Sequence, residues 1–318
     1  MADLGRGQRR RLVGAGCPGL SLTSVGHGSS CQGYRRRRGA TWGEVTADGR
    51  SGFPAAAGRY HLYACLACPW SHRVVLGRLL KGLESAISIS YADPYRDARG
   101  WALTGGDFVE EVNGFSFLAE AYAATDPTFD DRVTLPVLWD TSRGEIVNNE
   151  SGDILRMLGD AFGAFAEHDV DLYPPALRRE IDTVNEHVYE NLNDAVYQAG
   201  FSRNQAAYEE ACARVFATLD GLEERLASTR YLVADTPTEA DLRLFPTLVR
   251  FDTVYYLHFK CNRRQLVDPD HPRRPGSRLS GAARPRLSFL IPLVRRDARK
   301  SVLRDQQRLN ERLESSVS

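Results

Sequence analysis

Residues 59–73 constrain this chain more than any other stretch: Arg59-Tyr60-His61-Leu62-Tyr63-Ala64-Cys65-Leu66-Ala67-Cys68-Pro69-Trp70-Ser71-His72-Arg73. Tyr60, Leu62 and Ala64 alternate with His61 and Tyr63, the period of a half-buried strand. Pro69 suits the first helical position, where its missing N–H costs nothing. The stretch therefore reads as strand, loop and helix start, with Cys68 at the N-cap. A helix N-terminus presents unpaired N–H groups and about half a positive charge, so a thiol there titrates below its free value and is partly thiolate near neutrality. Thiolate is the reactive form. Away from such a context, a free cysteine is usually a small buried hydrophobe.

Cys65 and Cys68 also form a C-x-x-C pair, the spacing of a redox dithiol or of half a zinc site. In a helix-start dithiol the nucleophile comes first and its partner sits three residues into the helix; here that later position is Ser71, and Cys65 lies upstream. The other cysteines, Cys17, Cys31, Cys212 and Cys261, are isolated, so no second pair completes a structural zinc site. A single-thiol site without a metal is the expectation.

With 318 residues the chain can hold one large or two ordinary domains, and two are expected. The formal net charge is zero, which gives no global attraction to nucleic acid or to an anionic membrane surface. Six cysteines are too sparse for a disulfide framework, and no apolar run reaches the length of about eighteen residues that a membrane span needs. A reducing, cytoplasmic setting is expected, with neither nucleic acid nor membrane as partner.

Residues 1–41 are rich in Gly, Ser and Arg, hold Asp3 as their one acidic residue and show no apolar period, which predicts a disordered head. That composition also suits a targeting segment, although no amphipathic helix is visible and Gly is frequent. Asp48-Gly49, Ser51-Gly52 and Pro54 punctuate a loop leading into the first strand. After Cys68, the face formed by Val74, Val75, Leu79, Leu80 and Leu83 predicts a helix, with Gly82 as its stop. Ile87, Ile89 and Tyr91 alternate with serines as a second strand. A long excursion follows over residues 102–131, with a short helix near 117–123 and a turn at Asp126-Pro127.

Arg132-Val133-Thr134-Leu135-Pro136-Val137-Leu138-Trp139-Asp140 is a strand signal interrupted by proline. Either a cis peptide exposes the backbone of Leu135 to pair with an extended ligand, or an ordinary trans proline sits in an edge strand. The cis form is the one predicted. Residues 141–144 make a turn, 145–147 a returning strand, and Asn148-Asn149-Glu150-Ser151 leads to a helix over 154–158. Glu150 and Ser151 at a helix start suit an ammonium and a carboxylate of a ligand, or simply cap the helix. The order is β-α-β, then β-β-α.

Beyond a linker over 159–172 the pattern is helical. Pro174-Pro175 open a helix through Leu177, Ile181, Val184, Val188, Leu192 and Val196 to Gly200; a second covers 204–226. Thr238-Glu239-Ala240-Asp241 is a capping box ahead of a third. Tyr197 lies near the end of the first, Tyr255 and Tyr256 near the end of the third. Arginine and proline dominate after Cys261, an apolar stretch spans 287–294, a polar helix is expected over 298–316, and no Tyr or Trp follows Tyr256.

The assembled order is an α/β thioredoxin-like N-terminal domain followed by an all-α helical bundle, and it resembles the glutathione transferases. Six motifs sharpen the match: residues 66–73, Gly100-Trp101, 132–140, 147–151, Val196-Tyr197-Gln198-Ala199-Gly200-Phe201, and Arg250-Phe251-Asp252 to Asn262. Together, over residues 42–265, they resemble the glutathionyl-hydroquinone reductases, the Xi-class transferases. The resemblance implies a head over 1–41, a glutathione-binding domain over 42–160, a helical domain over 173–262 and an atypical tail over 263–318.

It also implies reductive removal of glutathione from S-glutathionyl-hydroquinones, with glutathione as co-substrate and a homodimer as the assembly. Cys68 would attack the glutathione sulfur and Tyr197 would act as acid and base on the ring. Trp101, Arg132, Val133, Thr134, Leu135, Glu150 and Ser151 would hold glutathione, and Tyr255 would help lower the Cys68 pKa. The family continues past the element matching residues 261–264 into further helices with a second active-site tyrosine, which this chain lacks; a shifted reading frame or divergent ends is expected there. An omega-type thiol transferase or dehydroascorbate reductase using the same cysteine, and a glutathione-binding pseudo-enzyme, stay open beside the main reading.

Overall fold

The computed structural model describes residues 43–266. The expected disordered head, the apolar stretch over 287–294 and the polar helix over 298–316 lie outside the described residues.

A small parallel pair, β1 (Val45–Thr46) with β2 (Phe53–Pro54), precedes the main sheet. That sheet has four strands, β3 (Tyr60–Ala64), β4 (Ile87–Tyr91), β5 (Val137–Asp140) and β6 (Glu145–Asn148), in the order β4-β3-β5-β6. β3 runs parallel to β4 and antiparallel to β5, with Leu62 opposite Ile89 on one side and Leu138 on the other. Helices α1 (Pro69–Leu80) and α3 (Ser151–Asp160) cover one face, and α2 (Leu118–Thr125) covers the other.

Strand periodicity sorts the side chains between these layers. Tyr60, Leu62, Leu138 and Val147 pack with Val74, Ile154 and Leu158. Tyr63, Val137, Trp139 and Ile146 pack with Leu118, Ala121 and Tyr122. β3 is thus buried on both faces, which corrects the half-buried expectation: its alternation marks two faces, and His61 and Tyr63 on the second each find a partner inside. His61 Nδ1 lies 2.7 Å from Ser88 Oγ, and Tyr63 donates to Glu110 at 2.8 Å. Burial pushes the His61 pKa down to about 4, so the ring is neutral.

Two further expectations change. The strand signal over 132–140 yields a strand only from Val137, because Pro136 has no N–H to give to a ladder. The Leu135–Pro136 bond is cis, as predicted, and the strand that follows is central and not an edge. The α3 helix begins at Ser151, a turn earlier than expected.

The helical half opens with a 3₁₀ turn, Pro175–Leu177, and continues as α4 (Arg178–Val188), α5 (Ala195–Gly200), α6 (Gln205–Ser228) and α7 (Glu239–Arg250). The helix expected to run unbroken to Gly200 is divided by a π turn, Tyr189–Asn193, in which Asp194 N–H reaches back to the Tyr189 carbonyl at 2.9 Å. Val188, Leu192 and Val196 recur every four residues, wider than the α-helical period of about 3.6, and the wider winding keeps all three buried. A second π turn, Phe251–Tyr255, follows α7. The capping box is present: Asp241 Oδ2 accepts from Thr238 N and from Thr238 Oγ1, at 2.9 and 3.1 Å.

The two halves meet through Leu76, Leu80 and Leu155 on one side and Leu242 and Phe245 on the other, with Leu172 between them. The connecting stretch over 159–172 is itself packed, since Phe162 is fully buried with its ring 5.5 Å from Tyr60. No described helix is long and apolar enough to cross a membrane.

Candidate active site

Cys68 is the N-cap of α1, with Pro69 at the first helical position and no side-chain bond to the helix. Its Sγ is half-buried and lies 3.9 Å from the Leu135 carbonyl oxygen. Cys65 is fully buried, and its carbonyl accepts the Cys68 N–H at 3.0 Å. Of the pair, Cys68 alone reaches a surface that a substrate can approach.

The rim beside the thiol is the loop over 132–135. Tyr122 Oη donates to the Thr134 carbonyl at 2.8 Å, and Asn149 Nδ2 donates to Tyr122 Oη and Thr134 Oγ1 at 2.9 and 3.0 Å. These bonds tie the loop to the start of α3. There Glu150 caps the helix, its Oε1 accepting from Gly152 N and Ser151 Oγ, both at 3.4 Å. Capping, one of the two uses the sequence left open for Glu150, is present. Trp101, Val133 and Cys68 pack against one core cluster that includes Tyr63, Leu103, Leu135 and Trp139. Trp101 Nε1–H is buried with no partner, a donor aimed at nothing the protein supplies. A peptide ligand along the 132–135 rim carries the carbonyl and carboxylate acceptors that such a donor needs, so the residues fit glutathione. Arg132 is exposed at the outer edge of the rim.

On the other side of Cys68 stands an aromatic wall from the helical half. Tyr197 stacks on Trp70 with centroids 6.2 Å apart and meets Tyr255 and Phe259 edge-on at 5.9 and 5.2 Å. Phe201, 67% exposed, continues the wall outward from Tyr197. The Tyr197 and Tyr255 hydroxyls are 3.4 Å apart. Burial pushes Tyr197 well above the usual phenol range, and the Tyr255 and Cys68 charges add to this. Burial likewise raises Tyr255, while the Arg250 charge opposes the rise. Both phenols are neutral and hold their protons at physiological pH.

The structure therefore gathers Cys68, Leu135, Tyr197 and Tyr255 around one cleft, with Trp101, Val133 and Thr134 along its peptide side and Glu150 and Ser151 at the next helix start. Trp70, Tyr122, Asn149 and Arg250 received no role from the sequence. Three of them stand inside motifs singled out there, and Tyr122 lies within the short helix expected near 117–123. Their partners lie as far as 184 positions away in the chain, which no local pattern reveals.

Comparison with known proteins agrees with this arrangement. A family model of the glutathione S-transferase N-terminal domain matches residues 67–161, and one of the C-terminal domain matches 205–286. Glutathionyl-hydroquinone reductase PcpF of Sphingobium chlorophenolicum is 51% identical over 220 residues, 69% of this chain and 70% of that protein. Glutathionyl-hydroquinone reductase YqjG of Escherichia coli is 44% identical over 244 residues, 74% of each. A glutathione S-transferase omega-like 2 of Schizosaccharomyces pombe is 39% identical over 76% of this chain and 80% of that protein. Among solved structures, a Xi-class transferase from Natrialba magadii superposes with a TM-score of 0.76 at 41% identity, covering 82% of this chain and 81% of that one. Glutathione-bound YqjG gives 0.74 at 41% identity, covering 80% and 84%. On these matches the chain belongs to the Xi class of the glutathione transferases, the class of thioredoxin-like and helical domains that the fold displays.

Proposed function

We propose that the protein uses glutathione to reduce S-glutathionyl-hydroquinones to hydroquinones through a mixed disulfide at Cys68. The observation that carries this reading is a half-buried thiol at a helix N-terminus, facing the Leu135 carbonyl on one side and a neutral buried phenol, Tyr197, on the other. The names of the relatives at 51% and 44% identity supply the substrate class.

Breaking an aryl thioether directly would leave a poor carbanion, so the ring must first take a proton. Tyr197 gives that proton to the ring carbon bearing sulfur while a ring hydroxyl loses its own to water, so the ring becomes its keto tautomer; the oxygen regains a proton from water on rearomatisation, and Tyr197 recovers its proton from the second glutathione thiol. The Cys68 thiolate then attacks the glutathione sulfur; a Cys68–glutathione disulfide forms, the carbon–sulfur bond breaks, and its electron pair restores the aromatic hydroquinone. A second glutathione thiolate attacks the mixed disulfide, freeing Cys68 and forming glutathione disulfide. Two thiol-level sulfurs end as a disulfide, and the ring carbon gains the two electrons they lose. Cys68's negative charge helps keep Tyr197 protonated, and so available as an acid, before the ring arrives.

Trp101, with its unpaired N–H, and the rim of Arg132, Val133, Thr134 and Leu135 take the peptide backbone of glutathione, while Glu150 and Ser151 take its γ-glutamyl end. A cytoplasmic homodimer is the assembly this reading adopts. The omega-like relative keeps plain thiol transfer as a second reading, but disulfide exchange has no need of a neutral phenol beside the sulfur. The test is steady-state turnover of a glutathionyl-hydroquinone with each cysteine replaced by serine in turn. Cys68→Ser alone is expected to abolish it, and an equal loss in Cys65→Ser would overturn the single-thiol mechanism.

A further inference from the structure

Arg250, the last residue of α7, is 5% exposed and sends its guanidinium across to the loop that carries the thiol. Nη2 donates to the Leu66 carbonyl at 2.6 Å and Nε to the Ala67 carbonyl at 3.3 Å. Nη1 donates to His72 Nδ1 and to the Pro246 carbonyl, each at 3.0 Å. Because a guanidinium has no acceptor, His72 must accept at Nδ1 and is the neutral Nε2–H tautomer. Burial and the Arg250 charge both push its pKa well down, in agreement with that tautomer.

All four acceptors are neutral. Among the described residues no carboxylate pairs with this buried cation. A buried charge without a counter-ion is costly, and such an arrangement persists where another anion answers it. The Arg250 charge acts on Tyr255 and Tyr197, the same two phenols that feel the Cys68 charge. Arg250 is also the residue from which the Phe251–Tyr255 π turn starts. One side chain therefore spans the thiol's loop and the turn that delivers the second phenol.

We propose that Arg250 is a positioning residue for the thiol: it fixes residues 66–68 against α7 and supplies the permanent positive charge that the Cys68 thiolate answers. Pro69 gives no N–H, and the Cys68 N–H is spent on Cys65. Arg73, over the Trp70 ring at 4.4 Å, is another cation near the site, and its Nη2 donates to Asn193 Oδ1 and the Arg243 carbonyl. The inference rests on Cys68 being the working thiol.

The test compares Arg250→Gln, which removes the charge, with Arg250→Lys, which keeps it. Cys68 alkylation by neutral iodoacetamide and anionic iodoacetate is measured at one pH and located by peptide mass, beside glutathione affinity and thermal midpoint. Arg250→Gln is expected to slow iodoacetate by about tenfold or more and iodoacetamide by less, with glutathione affinity held within about twofold. Arg250→Lys should recover most of the iodoacetate rate. Wild-type rates in both variants, or a fall in which both reagents, glutathione affinity and stability decline together and Lys rescues nothing, would overturn the proposal. If Arg250→Gln does not fold, Arg250→Lys decides: an iodoacetate rate kept near wild type supports the charge that Arg250 supplies, and a fall in both alkylation rates alike overturns the proposal. Wild-type protein in which Cys68 is not the alkylated residue would instead refute the reading of the thiol itself.

Discussion

Cys65 and Cys68 stand three residues apart, yet one is sealed in the core and the other faces a cleft. That difference was legible, because Pro69 marks the helix start and so the N-cap. Leu135 was legible from its proline and Tyr197 from the family resemblance, whereas Arg250, which binds the Leu66 and Ala67 carbonyls next to the thiol from 184 and 183 positions away, received no role. Trp101 carries the most specific residue-scale expectation. Its N–H is buried and unsatisfied, so Trp101→Phe should weaken glutathione binding by about 1–3 kcal/mol while leaving the fold intact, as titration calorimetry can measure. An unchanged affinity would remove Trp101 from the glutathione site. Glu110 carries an expectation of another kind. Burial tends to raise its pKa, but the N–H groups of Asn113, Phe115 and Val112 and the Tyr63 hydroxyl outweigh burial and hold it below the ordinary glutamate value. The stability it contributes is therefore full above that ordinary value, about 4.3, and is lost as pH falls toward the lower folded one. Urea melts should show Glu110→Gln less stable than wild type at neutral pH and the gap closing in acid; a gap independent of pH would contradict this.

At the scale of elements, α1 is buried on nearly every side, and its middle carries Gly77. A Cβ there would overlap Leu155 Cδ1 of α3, so the glycine sets how closely the two helices approach. Gly77→Ala gains up to about 1 kcal/mol of helix propensity but overpacks a core contact at a cost of about 1–3 kcal/mol. Net destabilisation in a denaturant melt is the expected outcome, and a stabilised variant would show that α3 can shift. The order of elements was legible because each carries its period and punctuation: alternation in β3 and β4, Gly82 after α1, the Thr238–Asp241 box before α7. The π turns were not, since buried residues four apart fit a continuous helix nearly as well. The second of those turns carries Tyr255 to the cleft, so one of the least legible elements helps complete the site.

In the whole molecule, one half brings the thiol and the peptide rim while the other brings the phenols. They are joined by the apolar contact around Leu242 and Phe245 and by Glu239, 1% exposed, which accepts from Arg156 of α3 at 2.8 Å and Asn185 of α4 at 2.6 Å and forms an ion pair with Arg243 of its own helix at 3.2 Å. The chemistry proposed for the cleft needs both halves, and Tyr197 separates what each contributes. Tyr197→Phe keeps the ring stacked on Trp70 and removes only the acid. The most direct measurement compares two reactions on that one variant: turnover of a glutathionyl-hydroquinone and exchange of a simple glutathione mixed disulfide at Cys68. Positioned acid catalysis contributes about 10²- to 10⁴-fold, roughly 3–5 kcal/mol, and a disulfide already has a good leaving group. Turnover of the hydroquinone conjugate should therefore collapse by that factor while disulfide exchange stays near the wild-type rate. An equal fall in both reactions, or no fall in either, would contradict the assignment of the ring acid.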